Sequence, residues 1–151
     1  MGKNVEIKAK IAVDKFETIC TRVAEIATDG PVELKQTDTF FHSQSGRLKL
    51  REFADGTAEI IGYQRPDTEG PKTSSYARAT CDGEAMKNAL ESTIGIAGVV
   101  KKQRTLYFLD QTRIHLDQVE NLGTYLELEV VLEDHQPEEE GVEVANSILK
   151  K

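Results

Sequence analysis

Tryptophan is absent, and cysteine occurs only twice and proline four times in 151 residues. Cys20 and Cys81 stand in unrelated contexts and form no metal or redox spacing. Cys20 falls on the apolar face of a predicted helix and is expected to be plain core, which makes a reducing, cytoplasmic setting the expectation. No stretch approaches the roughly 18 apolar residues of a membrane span. The opening MGKNVEIKAK lacks the apolar centre of a signal peptide. Met1-Gly2 begins like a myristoylation site, but Glu6 stands where that motif needs Ser or Thr. Positive charge is in the minority, with 19 Lys plus Arg against 26 Asp plus Glu and a formal net charge of -7. That balance argues against a general nucleic-acid coat, because phosphate backbones are bound by basic surfaces, and it leaves a local basic pocket open.

What remains suits one domain over residues 1–151, with one substantial core and no repeat at fixed period. Helical spacing predicts helices over 14–28, over 83–94 and in the tail from Pro137. The first carries Phe16, Ile19, Cys20, Val23, Ile26 and Ala27 on one face, with Asp14 and Glu17 placed like a capping box. Asp82 is the expected N-cap of the second and Gly95 its stop. The acidic start of the third, Glu138 to Glu140, and its final lysines complement a helix dipole. Strands are predicted over 4–12, 33–42, 46–53, 57–65, 73–80, 99–109, 112–119 and 123–133. Asp55-Gly56 signals a hairpin, Ser45-Gly46 and Asn121-Leu122-Gly123 signal turns, and PDTEGPK at 66–72 is a polar loop. Eight strands and few helices indicate an α+β protein built on a mainly antiparallel barrel or sandwich.

Sorting the strands by parity exposes a recurring pattern, because successive side chains point to opposite faces. Glu6, Lys8 and Lys10 oppose Val5, Ile7, Ala9 and Ile11. Arg47, Lys49 and Arg51 oppose Leu48 and Leu50. Glu59, Ile61, Tyr63 and Arg65 share a face, as do Lys102 and Arg104. Arg113, His115 and Asp117 oppose Ile114 and Leu116, and Glu127 and Glu129 oppose Leu126, Leu128 and Val130. A solvated outer face is the simplest source of such alternation. Yet cations crowd these faces while the molecule as a whole is acidic. Cations for phosphate oxygens beside a few carboxylates for a hard metal are what a metal–polyphosphate site requires. If the strands close into a barrel, these faces point into its lumen.

The ordered segments EIKAK, RLKLR, IIGYQRPD, KKQR and RIHLDQVENLGTYLELE resemble the CYTH, or triphosphate tunnel metalloenzyme, superfamily over nearly the whole chain, nearest its class IV adenylyl cyclase-like branch. The resemblance implies an eight-stranded antiparallel β-barrel with about three helices packed outside. It also implies a small-molecule triphosphate held by Lys8, Lys10, Lys49, Arg51, Arg65, Lys102, Arg104 and Arg113. Mg²⁺ or Mn²⁺ is implied on Glu6, Asp117, Glu127 and Glu129, with Glu6, Lys10, Glu127 and Glu129 as the catalytic set. The expected activity is metal-dependent hydrolysis of an inorganic, nucleoside or other organic triphosphate. The alternatives are cyclisation of ATP to cyclic AMP and pyrophosphate, or binding of a polyphosphate or nucleotide without turnover. Neither a nucleic acid nor a membrane is an expected partner, and a monomer or homodimer is expected. One departure stands out: Glu6 and Lys10 match the first and last positions of the family's Glu-x-Glu-x-Lys motif, but Lys8 replaces the second glutamate. Many relatives also continue past the position of Lys151, so one tunnel end is expected to be more open here.

Overall fold

A computed structural model describes residues 2–66, 71–133 and 135–149. The polar loop expected at 66–72 therefore lies largely outside the described residues. Among these residues the elements are β1 (Gly2–Ile11), α1 (Val13–Ile26), β2 (Asp29–Phe41), β3 (Arg47–Phe53), β4 (Ala58–Gln64), β5 (Lys72–Thr80), α2 (Gly83–Thr93), β6 (Ile96–Leu109), β7 (Thr112–Val119), β8 (Gly123–Leu132) and α3 (Glu138–Leu149). The strands form a closed barrel in the order β1-β5-β4-β3-β2-β6-β7-β8, with β8 returning to β1. All eight pairings are antiparallel. Closure leaves no open sheet edge and gives every strand one inner and one outer face. The choice between barrel and sandwich is thereby settled as the barrel.

The hydrophobic core lies outside the barrel wall. Val23 of α1 packs with Leu109, Ile114, Leu116 and Leu128, all on outward strand positions. Val5, Val130 and Leu132 meet Ala145 of α3. Phe41, Leu50 and Ala58 form a third cluster, joined by Met86 and Leu90 of α2. Each of the larger side chains among these contributes about 1.5–3 kcal/mol on burial. The amphipathic helices thus remove the outer apolar faces from water, and folding does not require the lumen to be apolar.

Turn chemistry follows the predicted punctuation. Gly46, Gly56 and Gly123 all adopt positive φ, and Asn121 does so between β7 and β8. The Asp55 carboxylate accepts from the Thr57 amide at 2.9 Å, locking the β3–β4 hairpin. Asp82 caps α2 by accepting from the Ala85 amide at 3.1 Å, and Gly95 at φ +80 ends it with a bond from its amide to the Leu90 carbonyl. Cys20 packs against the α1 cluster as expected. The expected capping box at Asp14 does not form. Helix α1 starts one residue earlier, its N-cap is Ala12 without a side-chain bond, and Asp14 sits inside the first turn. There its charge favours the helix dipole, which needs no cap geometry. Strands β1, β2 and β6 begin two to four residues before their predicted starts. In β2 the extra segment pairs through a register shift between Asp29 and Val32, an irregularity that hides the alternation.

Candidate functional site: a charged tunnel

The inner faces enclose a cavity of about 440 Å³. Glu6, Lys8, Lys49, Arg51, Arg65, Lys102, Arg104, Arg113, Glu127 and Glu129 all line it. Two residues expected there do not. Lys10 is exposed where β1 runs out, its side chain beside Gly123. Asp117 is fully buried in the wall, behind the cations.

The carboxylates gather on β1 and β8. Cross-strand register sets Glu6 opposite Glu129 and Lys8 opposite Glu127. On the other side of β8, Glu129 faces Arg113 and Glu127 faces His115. Like charges directly opposite in a sheet destabilise it, so the Glu6–Glu129 pair is a local cost. Burial, then the charges of Glu127 and Glu129, raise the Glu6 carboxyl to about 7, outweighing Arg65 at 3.6 Å. His115 lies at 2.9 Å from Glu127 through Nδ1. Burial and the Arg104 charge lower its pKa. The neutral ring therefore donates its Nδ1 proton to Glu127 and leaves Nε2 bare. Burial opposes ionisation of Glu127, but the His115 bond and Arg104 hold it well below the usual range. Ligand atoms of His115, Glu127 and Glu129 lie within 4.8 Å of one another.

The cations gather on β3 and β6, each group around a buried aspartate. Arg104 donates from Nε and Nη2 to Asp117 at 2.8 and 2.9 Å, and Lys102 approaches it at 3.6 Å. Arg51 donates in the same two-pronged way to Asp38 at 2.8 and 2.9 Å, and Lys49 approaches it at 3.7 Å. Burial works against Asp38, yet Arg51 and the two lysines bring it down to about 2. Burial, then the adjacent arginine, pushes Lys49 and Lys102 down to about 8 despite their aspartates. Arg104 stays charged, because its bond to Asp117 and the Glu127 charge outweigh burial. Lys49 also sits over the rings of Phe40 and Tyr63, at 5.7 and 5.1 Å, and Lys8 over Tyr125 at 5.2 Å. These positions hold cations in an enclosed space where an anion would relieve their mutual repulsion.

Sequence reasoning missed Asp38, which is 1% exposed and central to the cation group. Its strand, with Leu34, Gln36 and Phe40 on the same inner face, mixes polar and apolar residues on both faces. A usable signal existed in spacing: Asp38 and Arg51 are 13 residues apart, as are Arg104 and Asp117, each pair across one hairpin.

The chain matches the sequence profile of the CYTH domain over residues 2–151. It belongs to the CYTH family. Several solved structures share its architecture. The PH1012 protein from Pyrococcus horikoshii OT3 aligns with a TM-score of 0.80 at 21% identity, covering 97% of this chain and 88% of that one. HpAC1 from Hippeastrum, described as an adenylyl cyclase candidate with a dominant triphosphatase activity, aligns with a TM-score of 0.70 at 13% identity, covering 99% and 87%. The Mimivirus capping enzyme triphosphatase aligns with a TM-score of 0.63 at 12% identity, covering 98% and 87%. At these identities the likeness is one of fold. No curated protein matches the chain. Among the described residues of this CYTH protein, no helix is long and apolar enough to cross a membrane.

Proposed function

We propose that this CYTH protein, acting as one unit over residues 1–151, is a metal-dependent phosphohydrolase that holds a small-molecule triphosphate in its tunnel. One observation carries the reading. The lumen is divided into a cationic wall on β3 and β6 and a carboxylate wall on β1 and β8, both enclosed by one barrel. The cationic wall suits a polyphosphate, since arginine forks and buried ammonium groups bind its oxygens strongly.

The carboxylate wall suits a hard divalent cation. The Glu6–Glu129 pair sets two carboxyls side by side, and burial with the neighbouring glutamates raises Glu6 to about 7 despite Arg65, so a cation between them would favour their ionised forms. Glu6, Glu127 and Glu129 are the oxygen donors that would hold Mg²⁺ or Mn²⁺. Such an ion supplies polarisation of phosphoryl oxygens. Asp117 is assigned a different part from the metal ligand expected of it, because Arg104 occupies both of its oxygens. Lys10, exposed and outside the cavity lining, is left out of the phosphate grip.

In this reading Lys49, Arg51, Lys102 and Arg104 grip the phosphate chain and neutralise its charge during transfer. Glu127, fixed by His115, and Glu129, paired with Arg113 at 3.4 Å, orient the attacking water in line with the terminal phosphoryl group. The test is product identification with inorganic triphosphate and with ATP, each with Mg²⁺ or Mn²⁺. Orthophosphate is expected. Cyclic AMP with pyrophosphate would replace the reading with a cyclase, and tight binding without turnover would replace it with a binder.

A further inference from the structure

The lumen repeats one arrangement twice. On β2 and β3, buried Asp38 takes both of its oxygens to Nε and Nη2 of Arg51, with Lys49 at 3.7 Å. On β6 and β7, buried Asp117 does the same for Arg104, with Lys102 at 3.6 Å. Strands β2 and β6 are neighbours in the barrel, so the two groups adjoin. Each has one carboxylate and two cations, hence one surplus positive charge. A guanidinium held through Nε and Nη2 keeps its Nη1 protons free, and the fork cannot rotate while both bonds persist. An arginine and a lysine without the aspartate would repel each other and spread apart in an enclosed lumen.

We propose that Asp38 is a positioning residue for the triphosphate grip. It fixes the Arg51 fork and draws Lys49 beside it, as the matching half of the group built on Asp117. The inference rests on the reading of the tunnel as a triphosphate site. It adds a residue from a strand whose sequence shows no charge pattern. Asp38 itself carries the wrong sign to meet phosphate, so it acts through Arg51 and Lys49. Removing its charge leaves one more net positive charge in the lumen. Simple electrostatics therefore predicts tighter anion binding for Asp38→Asn, whereas lost positioning predicts weaker binding. The sign of the change separates the two.

The experiment is calorimetric titration of inorganic triphosphate into wild type, Asp38→Asn, Arg51→Lys and the double variant, with chelator present so that nothing turns over. Asp38→Asn is expected to weaken binding about 10- to 100-fold, as losses of orienting partners do. Arg51→Lys, which keeps the charge and loses the fork, is expected to show a similar loss. The double variant is expected to be no more than about twofold worse than either, because both changes break one device. Unchanged or tighter binding in Asp38→Asn, or additive losses in the double variant, overturns the inference while the tunnel reading stands. A wild type that does not bind triphosphate removes the tunnel reading itself and this inference with it. If Asp38→Asn does not fold, as judged by circular dichroism, Arg51→Lys decides alone: wild-type affinity without the fork overturns the inference.

Discussion

At the scale of single residues, Glu6 makes the sharpest claim. Its carboxyl sits at about 7 in the folded chain against 4.5 as the ordinary value. Between those values the folded protein keeps a proton that the unfolded chain has released. The contribution of Glu6 to stability is therefore fully present below pH 4.5 and is lost as pH rises through about 7. Glu6→Gln should stabilise the metal-free protein above that window, by about 1–3 kcal/mol, and should leave stability near pH 4.5 almost unchanged. Thermal melts in chelator at both pH values check this, and a destabilised Glu6→Gln at high pH would sink it. In the proposed function the same proton would compete with a divalent ion. Mg²⁺ or Mn²⁺ affinity should rise as pH climbs towards about 7 and then level off, and Glu6→Gln should flatten that profile. Glu129→Gln should lower metal-dependent turnover on the order of 100-fold while the melt stays cooperative. Unchanged turnover would remove Glu129 from the site. The acidic residues that carry these predictions were legible because their strands alternate cleanly. Asp38 was not, because β2 offers hydrocarbon and charge to both sides. Placement of Asp117 behind Arg104 was equally out of reach, since parity says which face a residue takes but not which neighbour claims its oxygens.

At the scale of elements, alternation and turn residues carried most of the information. Each strand of the barrel overlaps a predicted strand, and the errors concentrate at ends where no alternation exists to read. Cap chemistry was legible at α2, where Asp82 is followed by a residue whose amide it accepts, and misleading at α1, where an acidic first turn imitates a cap. Asp82→Ala should cost about 1 kcal/mol in urea unfolding and leave turnover intact, because α2 packs on the outer face. Helix α3 makes a tighter demand. A Cβ at Gly141 would lie 2.6 Å from Val5 Cγ2 and 2.8 Å from Leu132 Cδ2. Glycine there lets α3 settle onto β1 and β8, the two strands that bear the carboxylates. Although alanine favours a helix, Gly141→Ala should therefore destabilise the protein by about 1–3 kcal/mol through overpacking. A variant as stable as wild type or more stable would show that the helix can shift outward at no cost.

At the scale of the whole molecule, the inside and outside of the usual globular arrangement are exchanged. Helices take the apolar faces, and the barrel keeps its charges within. The cationic wall is then a reservoir of repulsion that a polyanion discharges. Inorganic triphosphate should raise the melting temperature even in chelator, where no divalent ion takes part. At a concentration about 100 times its dissociation constant the gain is about 2.7 kcal/mol, or roughly 5–10 °C for a chain of this length. The effect should have a definite pH limit. Lys49 and Lys102 sit at about 8, so they hold their charge below that value and lose it above. Triphosphate bound there would pull both upwards, and binding should accordingly take up protons near pH 8. The melting shift should shrink between about pH 7 and about pH 9, long before ordinary lysines near 10.4 discharge. Exposed lysines on a solvated sheet would behave differently. Their grip on triphosphate would be weak, would vanish in salt and would persist past pH 9. A shift that survives moderate salt and fades through pH 8 is the signature of enclosed cations, and a shift with the opposite pair of dependences would place the triphosphate on the outside of the barrel.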